Sequence, residues 1–279
     1  MSITYSKYKI PIYDRVITIW DHDIHETNRK TLEFIDEEYF KAMSEILMKE
    51  KANNKYIYYS LFQSYYSSLE VMFSLLCAVL QAPYFFYPWI MKYRNDELLR
   101  MVGIIDNNGT LTNAHNLSVV SWEVLAEIIH PIKSAPEIEK NKKLFPKIWT
   151  NMAKDFVNTD YIEAYNSIKH GLRVRNDAIT QLQIDDIKLN GSEYGIEFGT
   201  IKKHQTISVL KRKTVNINAE TFDYIFDFIR GTVINIKSYL KSISLSGNSK
   251  EPFFILREDI VKRYLDIEPI TLTSVTWNI

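Results

Sequence analysis

The run at 55–82 constrains this chain more than any other segment, because Tyr58, Tyr59, Phe62, Tyr65, Tyr66, Leu69, Phe73 and Leu76 leave it almost no polar face. A helix that is apolar all round has to be enclosed by others, so the run predicts a central helix inside a bundle. Pro83 ends it, since proline cannot donate the next helical hydrogen bond. Candidates for the enclosing layer lie on both sides. At 24–50, Leu32, Ile35, Tyr39, Met43, Ile46 and Leu47 recur at spacings of three and four, which predicts one amphipathic helix. Further helices are predicted at 90–103, 117–130 and 144–157, divided by Asn107-Asn108-Gly109 and by Pro131 and Pro136. Another is predicted at 159–180, with Thr159 or Asp160 as its cap.

Beyond it the periodicity changes. At 183–217 the chain reads as short strands at 184–189, 194–198 and 206–217, with Asn190-Gly191 as the first turn. A long helix at 219–243 follows, and 270–277 is suited to one more strand. There is no internal repeat and no linker. The expected architecture is therefore mainly α: a single domain over 1–279, a helical bundle with a small antiparallel β-hairpin or meander inserted before the last long helix.

Composition narrows the function classes. Lys and Arg number 34 and Asp and Glu number 34, so no global positive field gathers phosphates from a distance and any nucleic-acid contact has to be local. The lone Cys77, in an apolar run, can form neither an intrachain disulfide nor a cysteine metal cluster and reads as a small buried hydrophobe. The N-terminus lacks the apolar core of a secretion signal, and the apolar stretch at 71–91 is broken by Gln81, Pro83 and Pro88. A cytoplasmic protein with no membrane span is the expectation. Asp21-His22-Asp23 and His25-Glu26 match no metal-ligand spacing and sit where a helix start favours acids, so no metal is expected there. Gly-rich phosphate loops and nucleophile elbows are missing from the sequence. The aromatic cluster at 84–89 reads either as a plug closing the bundle or as a platform for bases or a partner helix.

The chemistry concentrates in Tyr165-Asn166-Ser167-Ile168-Lys169-His170-Gly171. On a helix Asn166 and His170 are four apart, as are Lys169 and Arg173, so an amide, an imidazole and two cations share one polar face. Gly171 costs about 1 kcal/mol relative to alanine inside a helix, which points to a close approach of backbone or ligand, or to a bend.

This phrase resembles the Arg-Asn-x-x-x-His-Gly signature of the HEPN superfamily, small helical bundles found in bacterial toxins, phage-defence proteins and RNA-processing factors. Asn166, His170 and Gly171 fall on its Asn, His and Gly, while Tyr165 stands in place of its arginine. The likeness covers the helices at 56–182. It implies a metal-independent endoribonuclease that needs no cofactor, in which the histidine moves protons around the ribose 2′-hydroxyl and the arginine stabilises charge on the phosphate. An imidazole titrates near neutrality, which suits His170 to proton transfer. A tyrosine carries no positive charge, and losing one such electrostatic donor costs about 2.7–4 kcal/mol of barrier. Lys169, Arg173 or Arg175 are the candidates to replace it.

Two further patterns bear on this reading. Along the central helix Gln63, Ser67, Glu70, Ser74 and Gln81 step by three, four and seven, forming one narrow polar stripe. A buried Glu70 needs a cation or several donors, and His170, Lys169 and Arg173 are the natural partners, so the stripe is expected to face the 166–173 stripe across a polar seam. Lys202-Lys203-His204 and Lys211-Arg212-Lys213 lie near strand ends, either as a phosphate-contacting patch for RNA or as charges that blunt an exposed sheet edge. The leading expectation is a homodimeric HEPN-like protein related to RNA-cleaving toxin or phage-defence modules. The alternative is a non-catalytic binding or dimerisation module that uses the seam for assembly.

Overall fold

The structure, a computed structural model, describes residues 6–21, 23–50, 56–130, 136–170, 174–175, 182–184, 187–189, 195–204, 207–244, 253–267 and 270–276. It is mainly α, a helical bundle with small antiparallel sheets, the larger of them built chiefly from strands before the last long helix. The chain divides into two compact units. Met1–Tyr39, Leu69–Val157 and Phe228–Val261 form the first; Phe40–Ser68, Asn158–Asp227 and Lys262–Ile279 form the second.

The first unit begins with a hairpin that the sequence reading did not foresee. β1 (Ser6–Ile12) and β2 (Arg15–Asp21) pair antiparallel from Ser6↔Asp21 to Ile12↔Arg15, leaving only Tyr13 and Asp14 in the turn. Tyr13 adopts φ 54°, a left-handed conformation unfavourable for a bulky side chain. The buried Gln81 side chain holds it there: its Oε1 accepts the Tyr13 N–H at 2.9 Å and the Trp89 Nε1–H at 3.1 Å, while its Nε2 donates to Thr112 O at 2.8 Å. Arg15 reaches the fully buried Glu97 at 2.6 Å, and this hydrogen bond keeps the Glu97 carboxyl below the usual carboxylate range.

The single helix expected at 24–50 is two, α1 (Ile24–Phe34) and α2 (Tyr39–Glu50). Asp36 Oδ1 takes the Glu38 N–H at 3.0 Å, a local bond that competes with helix continuation. Cations from a later helix then fix the break. Lys237 donates to Ile35 O at 2.7 Å and pairs with Glu37, and Arg230 pairs with Glu38.

The central helix, α3 (Ile57–Gln81), lies where its composition requires. A 3-10 turn at Pro83–Phe85 leads into α4 (Phe86–Ile90), followed by α5 (Asn95–Asp106), α6 (Trp122–Ile129) and α7 (Pro136–Val157). The last of these starts earlier than the predicted 144, because Pro136 suits a first helical turn, and it continues through the buried Pro146. Aromatic rings fill the core of this unit: Phe73 lies 5.5 Å from Trp122 and 5.1 Å from Phe156, and Trp149 donates to Thr232 Oγ1 at 3.0 Å.

Further along, the stretch at 253–257 is held on buried polar pegs. Asn235 accepts the Phe254 N–H at 2.6 Å and donates back to its carbonyl at 3.2 Å; Asn141 donates to the same carbonyl and accepts the Leu256 N–H at 2.9 Å. The fully buried His130 sets the Asn235 amide. Its Nδ1 lies 2.9 Å from Ala126 O and so carries the proton, leaving Nε2 to accept Asn235 Nδ2 at 2.9 Å.

The second unit centres on α8 (Thr159–Lys169), capped by Asn158 rather than by Thr159 or Asp160; the Asn158 side chain accepts the N–H groups of Asp160 and Tyr161. The helix is shorter than the predicted 159–180. Instead β3 (Val174–Arg175) pairs with β6 (Gly195–His204), which pairs with β7 (Ile207–Ile217), which pairs in turn with β8 (Ile270–Thr276), all antiparallel. β4 (Leu182–Ile184) and β5 (Ile187–Leu189) make a separate hairpin where one strand was expected. The predicted Asn190-Gly191 turn lies outside the described residues. After a 3-10 turn at Ala219–Thr221 come α9 (Phe222–Ser244) and then α10 (Glu258–Leu265). The turns of α3 in this unit put Tyr65 edge-on to Phe222 at 5.5 Å and Phe62 edge-on to Tyr161 at 6.3 Å.

Candidate functional site

Helix α8 presents two unlike faces. Tyr161, Ala164, Tyr165 and Ile168 are buried, and Tyr161 Oη donates to Ile270 O at 3.1 Å, tying the helix to the last strand. Asn166, Lys169 and His170 are exposed on the other side. His170 is the C-cap, and its backbone N–H bonds Asn166 O at 2.9 Å, so the four-residue relation between the two survives at the helix end. α8 stops at Lys169, and Gly171 and Arg173, and with them the expected spacing of Lys169 and Arg173, lie outside the described residues.

Tyr165 occupies the position of the arginine in the HEPN phrase, and it points inward. Its ring stacks on Tyr66 with centroids 4.6 Å apart, and its hydroxyl lies 3.1 Å from Ser67 Oγ. Lys169 Nζ sits 5.6 Å from the centroid of the same ring, a cation–π contact that holds an ammonium one turn beyond the position where the phrase calls for a guanidinium.

The α3 stripe is not one enclosed seam. Gln63 is exposed, Ser67 and Glu70 are half-buried, and Ser74 and Gln81 are buried. Four of its five residues have separate partners: Ser67 meets Tyr165, the Tyr93 hydroxyl donates to Glu70 at 3.4 Å, Ser74 donates to Val71 O, and Gln81 binds the hairpin turn. Burial, followed by the neighbouring Glu70 charge, pushes the Tyr93 hydroxyl up to about 12. Glu70 belongs to the first unit and His170 to the second.

The basic clusters also divide. Lys213 is buried and bound to Asp160 and Glu163 on the first turns of α8. Burial alone lowers a lysine pKa, but these two hydrogen bonds outweigh it and hold Lys213 above its ordinary value. It is therefore a structural cation between β7 and α8 and is removed from the phosphate-contacting set. Lys202 and Lys203 stand opposite Val209 and Ser208 at the far end of the β6–β7 pairing, whereas Lys211 and Arg212 stand opposite Thr200 and Gly199 in its middle, not at a strand end. Arg175 stands opposite Glu197 in the β3–β6 register.

No protein-family model, curated protein or solved structure matches the chain.

Elsewhere the chemistry is sparse. Among the described residues no group of three His, Cys, Asp or Glu side chains is placed to hold a metal ion. Asp21 and Asp23 are occupied locally, Asp21 by Thr27 and the Asp23 N–H and Asp23 by the Glu26 N–H. Burial pushes the Cys77 thiol far above its ordinary pKa, which removes it as a nucleophile. In the 84–89 cluster Phe86 and Trp89 are fully buried while Tyr84 is exposed, so most of the cluster packs as core. No single helix among the described residues is long and apolar enough to cross a membrane; α3 meets both conditions only together with Pro83–Ile90, across a 118° bend. A hollow of about 260 Å³ lined by Ile46, Leu47, Glu50, Tyr56, Ile57 and Ser60 lies in the second unit and contains none of the predicted site residues.

The sequence reading found Asn166, Lys169 and His170 from their spacing. It missed Tyr66 and Ser67 as the partners that turn Tyr165 inward. Their four-residue registers on two helices were visible, but which pair of helices met was not.

Proposed function

We propose that the second unit is a HEPN-like ribonuclease module that cuts single-stranded RNA without metal, with Asn166, Lys169 and His170 as its reacting face. The observation that carries this reading is the separation of roles on α8: the three polar side chains share the exposed face, while Tyr165 is taken into the core and supports Lys169 with its ring. In this reading His170 accepts the proton of the ribose 2′-hydroxyl as its oxygen attacks phosphorus. The P–O5′ bond breaks, the leaving 5′-oxygen takes a proton from water, and a 2′,3′-cyclic phosphate and a 5′-hydroxyl result. Lys169 stabilises the charge that gathers on the non-bridging oxygens, the role of the arginine in the HEPN phrase, and Asn166 orients the phosphate by hydrogen bonding. The module works as a homodimer in a toxin or phage-defence setting.

The test is cleavage of a labelled single-stranded RNA by the full chain in EDTA. Cutting is expected, with loss of at least about 100-fold in rate for His170→Ala and for Lys169→Ala. Both residues are exposed, so their thermal midpoints should stay within the small range usual for surface substitutions. A parent protein that leaves RNA intact but dissociates from a dimer on His170→Ala would instead establish the assembly module.

A further inference from the structure

The β1–β2 hairpin has one face in the core and one in solvent, and the solvent face carries an unusual set of side chains. Ile10 and Ile12 are fully buried on the inner side. On the outer side the register places Lys7 opposite Trp20, Lys9 opposite Thr18 and Pro11 opposite Val16. Trp20 and Val16 are each 64% exposed, and Lys7 and Lys9 are exposed beside them. Lys7 Nζ lies 5.6 Å from the centroid of the Trp20 indole. None of these six residues is acidic, although the chain as a whole has as many acidic residues as basic ones. Of the nearby carboxylates, Asp21 is engaged by Thr27 and by the Asp23 backbone.

A large aromatic ring left in water beside two lysines contributes little to folding, since its burial energy is not realised. We propose that this outer face binds single-stranded RNA, with Trp20 stacking on a base and Lys7 and Lys9 contacting successive phosphates. The ligand class rests on the RNA reading of the second unit, whereas the surface belongs to the first. Charge complementarity selects a polyanion. The exposed ring selects single strands, because bases in a duplex are stacked on one another and offer no open face to a protein ring. Lys7 and Lys9 are two residues apart on one strand, about 7 Å along its axis, a step comparable with the distance between neighbouring phosphates in an extended strand. Base–aromatic stacking tolerates any sequence, so the surface would hold RNA without choosing where it is cut.

The experiment titrates the full chain into a fluorescein-labelled, fully 2′-O-methylated single-stranded oligoribonucleotide, which cannot be cleaved, and reads anisotropy at several salt concentrations. Trp20→Ala is expected to weaken binding by about 5- to 100-fold. Lys7→Glu combined with Lys9→Glu is expected to weaken it further in low salt and to reduce the salt slope by about 1.4, two phosphates' worth for a single strand. All three side chains are exposed, and unchanged thermal midpoints will show that the hairpin still folds. The proposal is overturned if the parent fails to bind the oligonucleotide or if the variants bind as the parent does. It is also overturned if the variants lose only binding to phosphatidylserine vesicles or self-association. Variants that bind normally while the parent still cuts RNA leave the second-unit reading intact and remove this one. Weakened binding alongside an inactive parent does the reverse.

Discussion

The ring of Tyr165 lies on the ring of Tyr66, centroids 4.6 Å apart and 29° from parallel, with its hydroxyl against Ser67. This stacking decides what position 165 can do. A side chain held there by a neighbouring helix turn supports the exposed face from beneath and cannot itself reach a substrate.

Placing an arginine at position 165 should therefore damage the protein. Tyr165→Arg removes a stacked ring and forces a guanidinium into a site only 8% exposed, so it is expected to cost about 3 kcal/mol or more and, under the proposed ribonuclease reading, to leave cleavage no faster. Tyr165→Phe loses only the hydroxyl contact and should cost about 1 kcal/mol. Urea denaturation of both variants checks the ranking, and equal stability of the two would contradict the packing described.

Acid should loosen the first unit through His130. Burial, aided by the nearby Lys142 charge, lowers this imidazole from 6.5 to about 4 even though the Ala126 carbonyl opposes the shift. The folded state thus stays unprotonated where the unfolded chain takes up a proton. Its contribution is complete above about pH 6.5 and falls as pH drops towards 4, by about 3 kcal/mol in all. His130→Gln should flatten this part of the profile. Comparing urea midpoints at pH 7 and pH 4.5 in parent and variant isolates the effect from carboxylates that titrate in both.

Gly231 admits Phe254. A Cβ placed on that glycine would stand 2.3 Å from the Phe254 ring, so Gly231→Ala is expected to cost about 2 kcal/mol by overpacking. The same substitution made together with Phe254→Ala should cost less than the sum of the two, because the clash disappears with the ring. An additive double mutant would mean the ring does not occupy that position.

Lys213→Met should lower stability by about 1–2 kcal/mol, since it leaves Asp160 and Glu163 side by side without their shared cation. Under the proposed RNA reading, affinity and its salt slope should not change. A drop in the slope would return Lys213 to the phosphate-contacting surface.

Periodicity made most helices legible, α3 above all, because an all-round apolar run has only one comfortable environment. It failed where distant residues decided the outcome. The break at 35–38 depends on Lys237 and Arg230 in α9, some 200 positions away in the case of Lys237 and Glu37. The early end of α8 is reinforced by Val174 pairing with Phe198 in a sheet. β1 and β2 were readable in principle, since Tyr8, Ile10 and Ile12 alternate as Ile17 and Ile19 do, but Pro11 and a two-residue turn without glycine weakened the signal. At the site, the Asn166 and His170 spacing carried through to the structure. The inward turn of Tyr165 needed a partner 98 positions away.

The division of the chain into interleaved segments also has a kinetic meaning. A ribosome releases residues in order, yet the first unit lacks its 253–257 strap until those residues have emerged, and the second lacks β8 until residue 276 has. Each unit therefore closes only after segments of the other have been made, and its folding is slowed by long-range loop closure. Cutting the gene at any point between Phe40 and Val261 would yield two fragments, neither of which contains all the parts of either unit.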